Sequence, residues 1–81
     1  MILTTLEQIR LLVEENGIAN GNLVGIDGNA LSVVCYTVQR LKKANWPHED
    51  IKQFEKLSLN SDYNNVLACC ASVLDFEEEN L

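Results

Sequence analysis

A mainly α fold, three to four helices packed into one small domain with a short two-stranded β accessory, is what this sequence predicts. Three observations carry the expectation. Apolar residues recur at steps of three and four over most of the chain. Helix start and stop residues bracket each such stretch. All four glycines, Gly17, Gly21, Gly25 and Gly28, crowd into one window, which leaves the rest free to run as helix.

Residues 3–15 form the leading helix, with Leu3, Leu6, Ile9 and Leu12 or Val13 on one face. Thr4 or Thr5 caps it, Glu7 lies in its first turn, and Asn16-Gly17 stops it. Residues 16–29, "NGIANGNLVGIDGN", read as a Gly/Asn-rich turn region and a short strand. Asn20-Gly21 is the dipeptide of a type I′ turn, and "NLVGI" after it has strand composition. Gly25 weakens a ladder and marks a bulge or a close approach.

Residues 30–76 supply a three-helix core. From Ala30 to Ala44, Leu31, Val34, Val38 and Leu41 form a continuous stripe, which Val33, Cys35 and Tyr36 widen to two covered sides. Arg40, Lys42 and Lys43 complement the dipole in the last turn. Trp46-Pro47 ends this helix, and Pro47 opens the next, with Ile51, Phe54 and Leu57 inward. A turn at "SLNSD", capped by Asn60 or Ser61, leads to a last helix from Asp62 to Leu74. Its inward residues are Tyr63, Val66 or Leu67, Cys70, and Val73 or Leu74. Leu74 to Phe76 has the makings of a short strand, and residues 77–81 form an acidic tail.

Composition narrows the function classes. The chain has 81 residues, 47 % of them hydrophobic and 22 % charged, which is globular and not disordered. A domain this small buries only roughly 60–65 % of its unfolded surface. Homo-oligomerisation is the expected staple. Three cysteines without a CxxC, beside a single histidine, make neither a disulfide framework nor a zinc site. A reduced, cytoplasmic setting follows, since the N-terminal stretch lacks a signal peptide's basic region and cleavage site. No apolar run approaches the ~20 residues a bilayer span requires. The net charge of −6 argues against nucleic acid and anionic membranes as partners.

Few residues suggest chemistry. In "VGIDGNALSVV", Asp27 or Asn29 can cap the following helix, and Gly28 between them allows a positive φ. The competing reading gives the same turn, with its helix N–H groups, to an anion or a ribose. The turn is no dinucleotide fingerprint and no P-loop, because it lacks G-x-G-x-x-G and a lysine after the last glycine. Nor does D-x-N make a calcium loop. Cys69 and Cys70 read as small apolar residues in a helix, without a base beside them in sequence. His48 reads as a solvated surface side chain. Trp46 reads as a lid over the core or, if exposed, as an anchor for a partner. Tyr63, in a first helical turn, can point its hydroxyl outward. With no acid–base pair, metal cluster or nucleophile elbow, no enzyme, cofactor or metal is expected.

The stretch from 24 to 76 resembles a group of small proteins encoded by bacteriophages and prophages, mostly carried as hypothetical proteins. The matching residues are Asp27, Gly28, Asn29 and Ala30, then Val38 and Leu41, then Glu49, Ile51 and Phe54. Ser61, Asp62, Tyr63 and Leu67 complete the pattern. Two departures stand out: the group usually has Gly where Asn60 or Ser61 falls, and it generally lacks the leading helix. The resemblance implies a phage accessory protein that works by binding, antagonising host immunity. In one version an oligomer sequesters a nucleotide signal in pockets lined by Asp27, Asn29 and Tyr63, with Tyr63 or Trp46 stacking on a base. In another the chain plugs a host defence protein through Trp46 and its acidic face. A third version is a structural or regulatory phage protein with no ligand.

Overall fold

The computed structural model describes residues 3–26, 28–60 and 62–75. The elements in order are α1 (Thr5–Asn16), β1 (Ala19–Asn20), α2 (Ala30–Lys43), α3 (His48–Leu59), α4 (Tyr63–Val73) and β2 (Leu74–Asp75). This is the mainly α class, four helices with a two-stranded accessory, that the periodicity predicts.

α1, α2 and α4 each begin where a side chain serves the open N–H groups. At α1 the Thr4 hydroxyl accepts from Glu7 N at 3.2 Å and the Glu7 carboxylate accepts from Thr4 N at 3.1 Å, a reciprocal capping box. Hydrogen bonding to the Glu7 carboxyl from Thr4, its backbone N–H first and then its side chain, holds that carboxyl below its ordinary range. Asn29 caps α2, and Asp62 caps α4 by accepting from Asn65 N at 2.9 Å. The expected cap of α4, Asn60 or Ser61, is therefore corrected. Asn60 closes α3, and Ser61 lies outside the described residues.

The end of α2 is a Schellman turn without glycine. Trp46 N donates to Leu41 O and Asn45 N to Lys42 O, both at 3.1 Å, while Asn45 takes φ 65°. Asn is the residue after Gly that best tolerates this left-handed conformation. Pro47 then caps α3 by its backbone geometry alone.

The core forms where α3 and α4 each meet both α1 and α2. Ile9, Val33, Leu41, Phe54, Val66 and Val73 are buried there, each removal from water contributing about 1.5–3 kcal/mol. Two inward faces differ from those expected. On α1 only Ile9 and Leu12 are buried, while Leu3 and Leu6 reach water. On α2 the buried set is Val33, Val34, Thr37 and Leu41, and Leu31 and Cys35 are exposed. The stripe is rotated because α2 has neighbours on the Val33–Thr37 side. Thr37 lies there by donating its hydroxyl to Val33 O at 2.8 Å, and Ser58 does the same to Glu55 O.

The β accessory is also corrected. The strand falls at Ala19–Asn20 and not in "NLVGI", and Asn20-Gly21 is no hairpin turn. β1 pairs in parallel with β2, Ala19 opposite Leu74 and Asn20 opposite Asp75. Leu74 and Asp75 fall in the expected second strand; Phe76 and residues 77–81 lie outside the described residues. Gly21 continues the pairing by donating to Asp75 O. The fit is close: a Cβ there would meet Leu74 Cδ2 at 3.0 Å and Arg40 Cγ at 3.1 Å, so a side chain at 21 needs both to give way. From α2, Tyr36 Oη accepts from Asn22 N and Arg40 donates to Asn20 O, which pins the strand to the helix. Among the described residues, no helix is long and apolar enough to cross a membrane.

Candidate functional site

The turn before α2 and the start of α4 meet at one corner of the molecule. Asn29 stands outside α2 in extended conformation, φ −89° and ψ 130°, and its Oδ1 accepts from Leu31 N at 2.9 Å. Of the two caps the sequence offers, Asn29 is the one that fills the role. Asp27, the other, lies outside the described residues. Gly28 is exposed, and its φ is not positive; among the described glycines, Gly17 and Gly25 have that conformation.

Tyr63 is the first residue of α4, placed there by the Asp62 cap. It is 40 % exposed, and not inward as its helical spacing suggests. Its hydroxyl oxygen lies 3.8 Å from the place a Cβ on Gly28 would occupy. Two residues that stand 35 positions apart in sequence are therefore neighbours. The corner offers two helix N-termini, each partly served by its own cap, an exposed aromatic ring, and a glycine that leaves the ring uncovered.

Trp46 is not part of it. It is 4 % exposed, and its indole N–H donates to Gly17 O at 3.1 Å. The ring closes the core between the end of α1 and the start of α3, so its expected use as a stacking or anchoring residue is corrected. A buried indole whose N–H is already bonded has no face left for a ligand. The same region holds Asn16, whose amide donates to Leu12 O at 3.0 Å and to Asp50 Oδ2 at 2.8 Å.

The cysteines are free thiols, Cys35 exposed and Cys69 and Cys70 buried. Burial pushes both α4 thiols up from their ordinary pKa, with Thr37 partly opposing this at Cys70. Protonated, enclosed thiols are poor nucleophiles. They fill the core as small apolar groups do. His48 is exposed at the start of α3. Among the described residues, no group of three or more His, Cys, Asp and Glu side chains is placed to hold a metal ion.

A groove of about 440 Å³ opens elsewhere, between α1 and α4, lined by Leu6, Arg10, Val13, Ala68 and Ser72. None of these is a residue the sequence offered as a candidate site; Leu6 and Val13 enter there only on the apolar face of the leading helix. The signal was present all the same: α4 has no charged residue anywhere from 63 to 73. Comparison with protein-family models, curated proteins and solved structures finds no match.

Proposed function

We propose that the chain is a small non-catalytic binding protein of phage type, which antagonises host immunity by sequestering a nucleotide signal as a homo-oligomer in the host cell cytoplasm. Asp27, Gly28, Asn29 and Tyr63 are the residues assigned to the ligand. The observation that carries the reading is the meeting of Gly28 and Tyr63 across the α2–α4 corner. A base can stack on the exposed Tyr63 ring, because every base has a π-face. The Asn29 amide is in place for a polar group of the ligand, and the positive ends of two helices favour a negative one. Sequestration needs no acid, base or nucleophile, and the buried thiols supply none.

The test is a thermal-shift panel of cyclic and linear nucleotides against the full chain. A ligand at a hundred times its dissociation constant adds about 2.7 kcal/mol, which raises the melting temperature by several degrees in a domain this small. Gly28→Ala and Tyr63→Ala should each abolish that rise, since one fills the corner and the other removes its ring. Silence across the panel, or a rise that survives both substitutions, overturns the reading.

A further inference from the structure

Asn-Gly occurs twice in the chain, at Asn16-Gly17 and at Asn20-Gly21. This pair is the one most open to deamidation, because glycine has no side chain to keep its amide nitrogen away from the asparagine before it. In that reaction the Gly nitrogen loses its proton and attacks the Asn Cγ. A nitrogen–carbon bond forms, the Cγ–Nδ2 bond breaks, and ammonia leaves behind a cyclic imide. Water then opens the ring on one side or the other. One opening gives Asp, and the other gives isoaspartate, which has an extra methylene in the main chain.

Both attacking nitrogens are engaged in the fold. Gly17 N donates to Val13 O at 2.7 Å and Gly21 N to Asp75 O at 3.1 Å, so each segment must open before its nitrogen can react. The products then meet different surroundings. An Asp at 20 would stand opposite Asp75, but both positions are exposed and solvent screens the pair. Asn16 is half-buried, and its amide donates to Leu12 O at 3.0 Å and to Asp50 Oδ2 at 2.8 Å. Among the described residues, that amide is the one side-chain partner of the Asp50 carboxylate. An ionised Asp at 16 has no hydrogen to give. It would set a carboxylate against Asp50 and against the carbonyl end of α1, acceptors on every side. Isoaspartate at 16 would also displace Gly17, whose carbonyl receives the Trp46 indole N–H.

We propose that Asn16 is a site of spontaneous covalent modification, and that its deamidation unfastens the α1–α3 corner and so limits the lifetime of the folded chain. The closed corner protects the site, because it holds both the nitrogen that attacks and the amide that is attacked. Each opening admits a step that does not reverse. The product lacks the donor that fastened α1 to α3, so the corner closes less well after the step than before it. The inference concerns the fold and is independent of any ligand at Tyr63.

Ageing the full chain in mildly alkaline buffer, with and without denaturing urea, tests it, with both sites followed by peptide mass mapping. In native buffer Asn16 should convert at least about tenfold more slowly than in urea, because only open corners react. Trp46 is the chain's one tryptophan, so its emission reads the corner. Chains converted at Asn16 should show a red shift of that emission and a melting temperature lower by about 5–10 °C. Chains converted only at Asn20 should melt close to the unmodified chain. Asn16→Asp, made directly, should reproduce the drop. Asp50→Asn in that background should restore about half of it, since the new amide donates to the carboxylate at 16 while Leu12 O stays unserved. The double variant reads the same contact if Asn16→Asp alone does not fold. The proposal is overturned if Asn16 converts as fast in native buffer as in urea, or if Asn16→Asp melts with the unmodified chain. It is overturned equally by a double variant no more stable than Asn16→Asp.

Discussion

Two corners of this molecule use the same materials, an Asn, a Gly and an aromatic residue, to opposite ends. At the α1–α3 corner, the Trp46 indole N–H donates to Gly17 O and the Asn16 amide donates to Asp50 Oδ2. At the α2–α4 corner, Gly28, Asn29 and Tyr63 lie together with Tyr63 half open to water. The first spends its polar groups on the fold. The second spends one, the Asn29 cap, and leaves the ring and the glycine uncommitted. Turn chemistry alone does not separate a closed corner from an open one; what separates them is whether the aromatic ring is enclosed.

The sharpest way to break the contrast is at the two rings. Trp46→Ala should cost about 3–5 kcal/mol in urea unfolding, the range for losing a buried aromatic. Tyr63→Ala, at the open corner, should cost well under half of that. Equal costs would mean that the two corners are not different in kind.

The glycines come next. Gly17 has φ 85° and ψ 170°, a region essentially reserved for glycine, with nothing within 4 Å of where a Cβ would stand. Gly17→Ala should therefore cost about 1–3 kcal/mol through backbone strain alone. Gly28→Ala meets only ordinary contact with Tyr63. It should leave stability unchanged or raise it by about 0.4–1 kcal/mol, by restricting the unfolded chain. The pair makes Gly28→Ala a clean probe of binding, because its effect on a ligand is not confounded by the fold.

The smallest effect belongs to the cap. Asn29→Ala should cost about 1 kcal/mol, and Asn29→Asp or Asn29→Ser should restore most of it. Urea midpoints of the three variants check this. If Asn29→Ala abolishes a nucleotide-induced melting rise that Asn29→Ser retains, an oxygen at this position is what the ligand requires.

Much of the fold was legible because it is local. Thr4 with Glu7, Gly17 after Asn16, and Pro47 before His48 mark helix ends by hydrogen bonds and backbone angles within a few residues of each other. The rotation of α2 was not legible. Val34 and Leu41 are common to both faces; Leu31 and Val38 satisfy helical spacing with them as well as Val33 and Thr37 do, and only the position of the neighbours selects between the two pairs. The strand pairing was hidden for a stronger reason. Ala19 and Leu74 meet across the whole chain, and two-residue strands have no periodicity to detect.

The candidate site divides along the same line. Its sequence determined the parts: a capping Asn29, a Gly28 without a side chain, a Tyr63 at the start of a helix. Their meeting, and the enclosure of Trp46, were decided by the packing of α1, α3 and α4, because burial is a property of neighbours and not of residues. α4 is the converse case. Its want of charge is written in residues 63–73, where Asn64, Asn65 and Ser72 are polar and uncharged. That Ala68, Ala71 and Ser72 face outward, beside the groove lined by Leu6, Arg10 and Val13, only the tertiary structure could decide, since α1, α2 and α3 cover the opposite side.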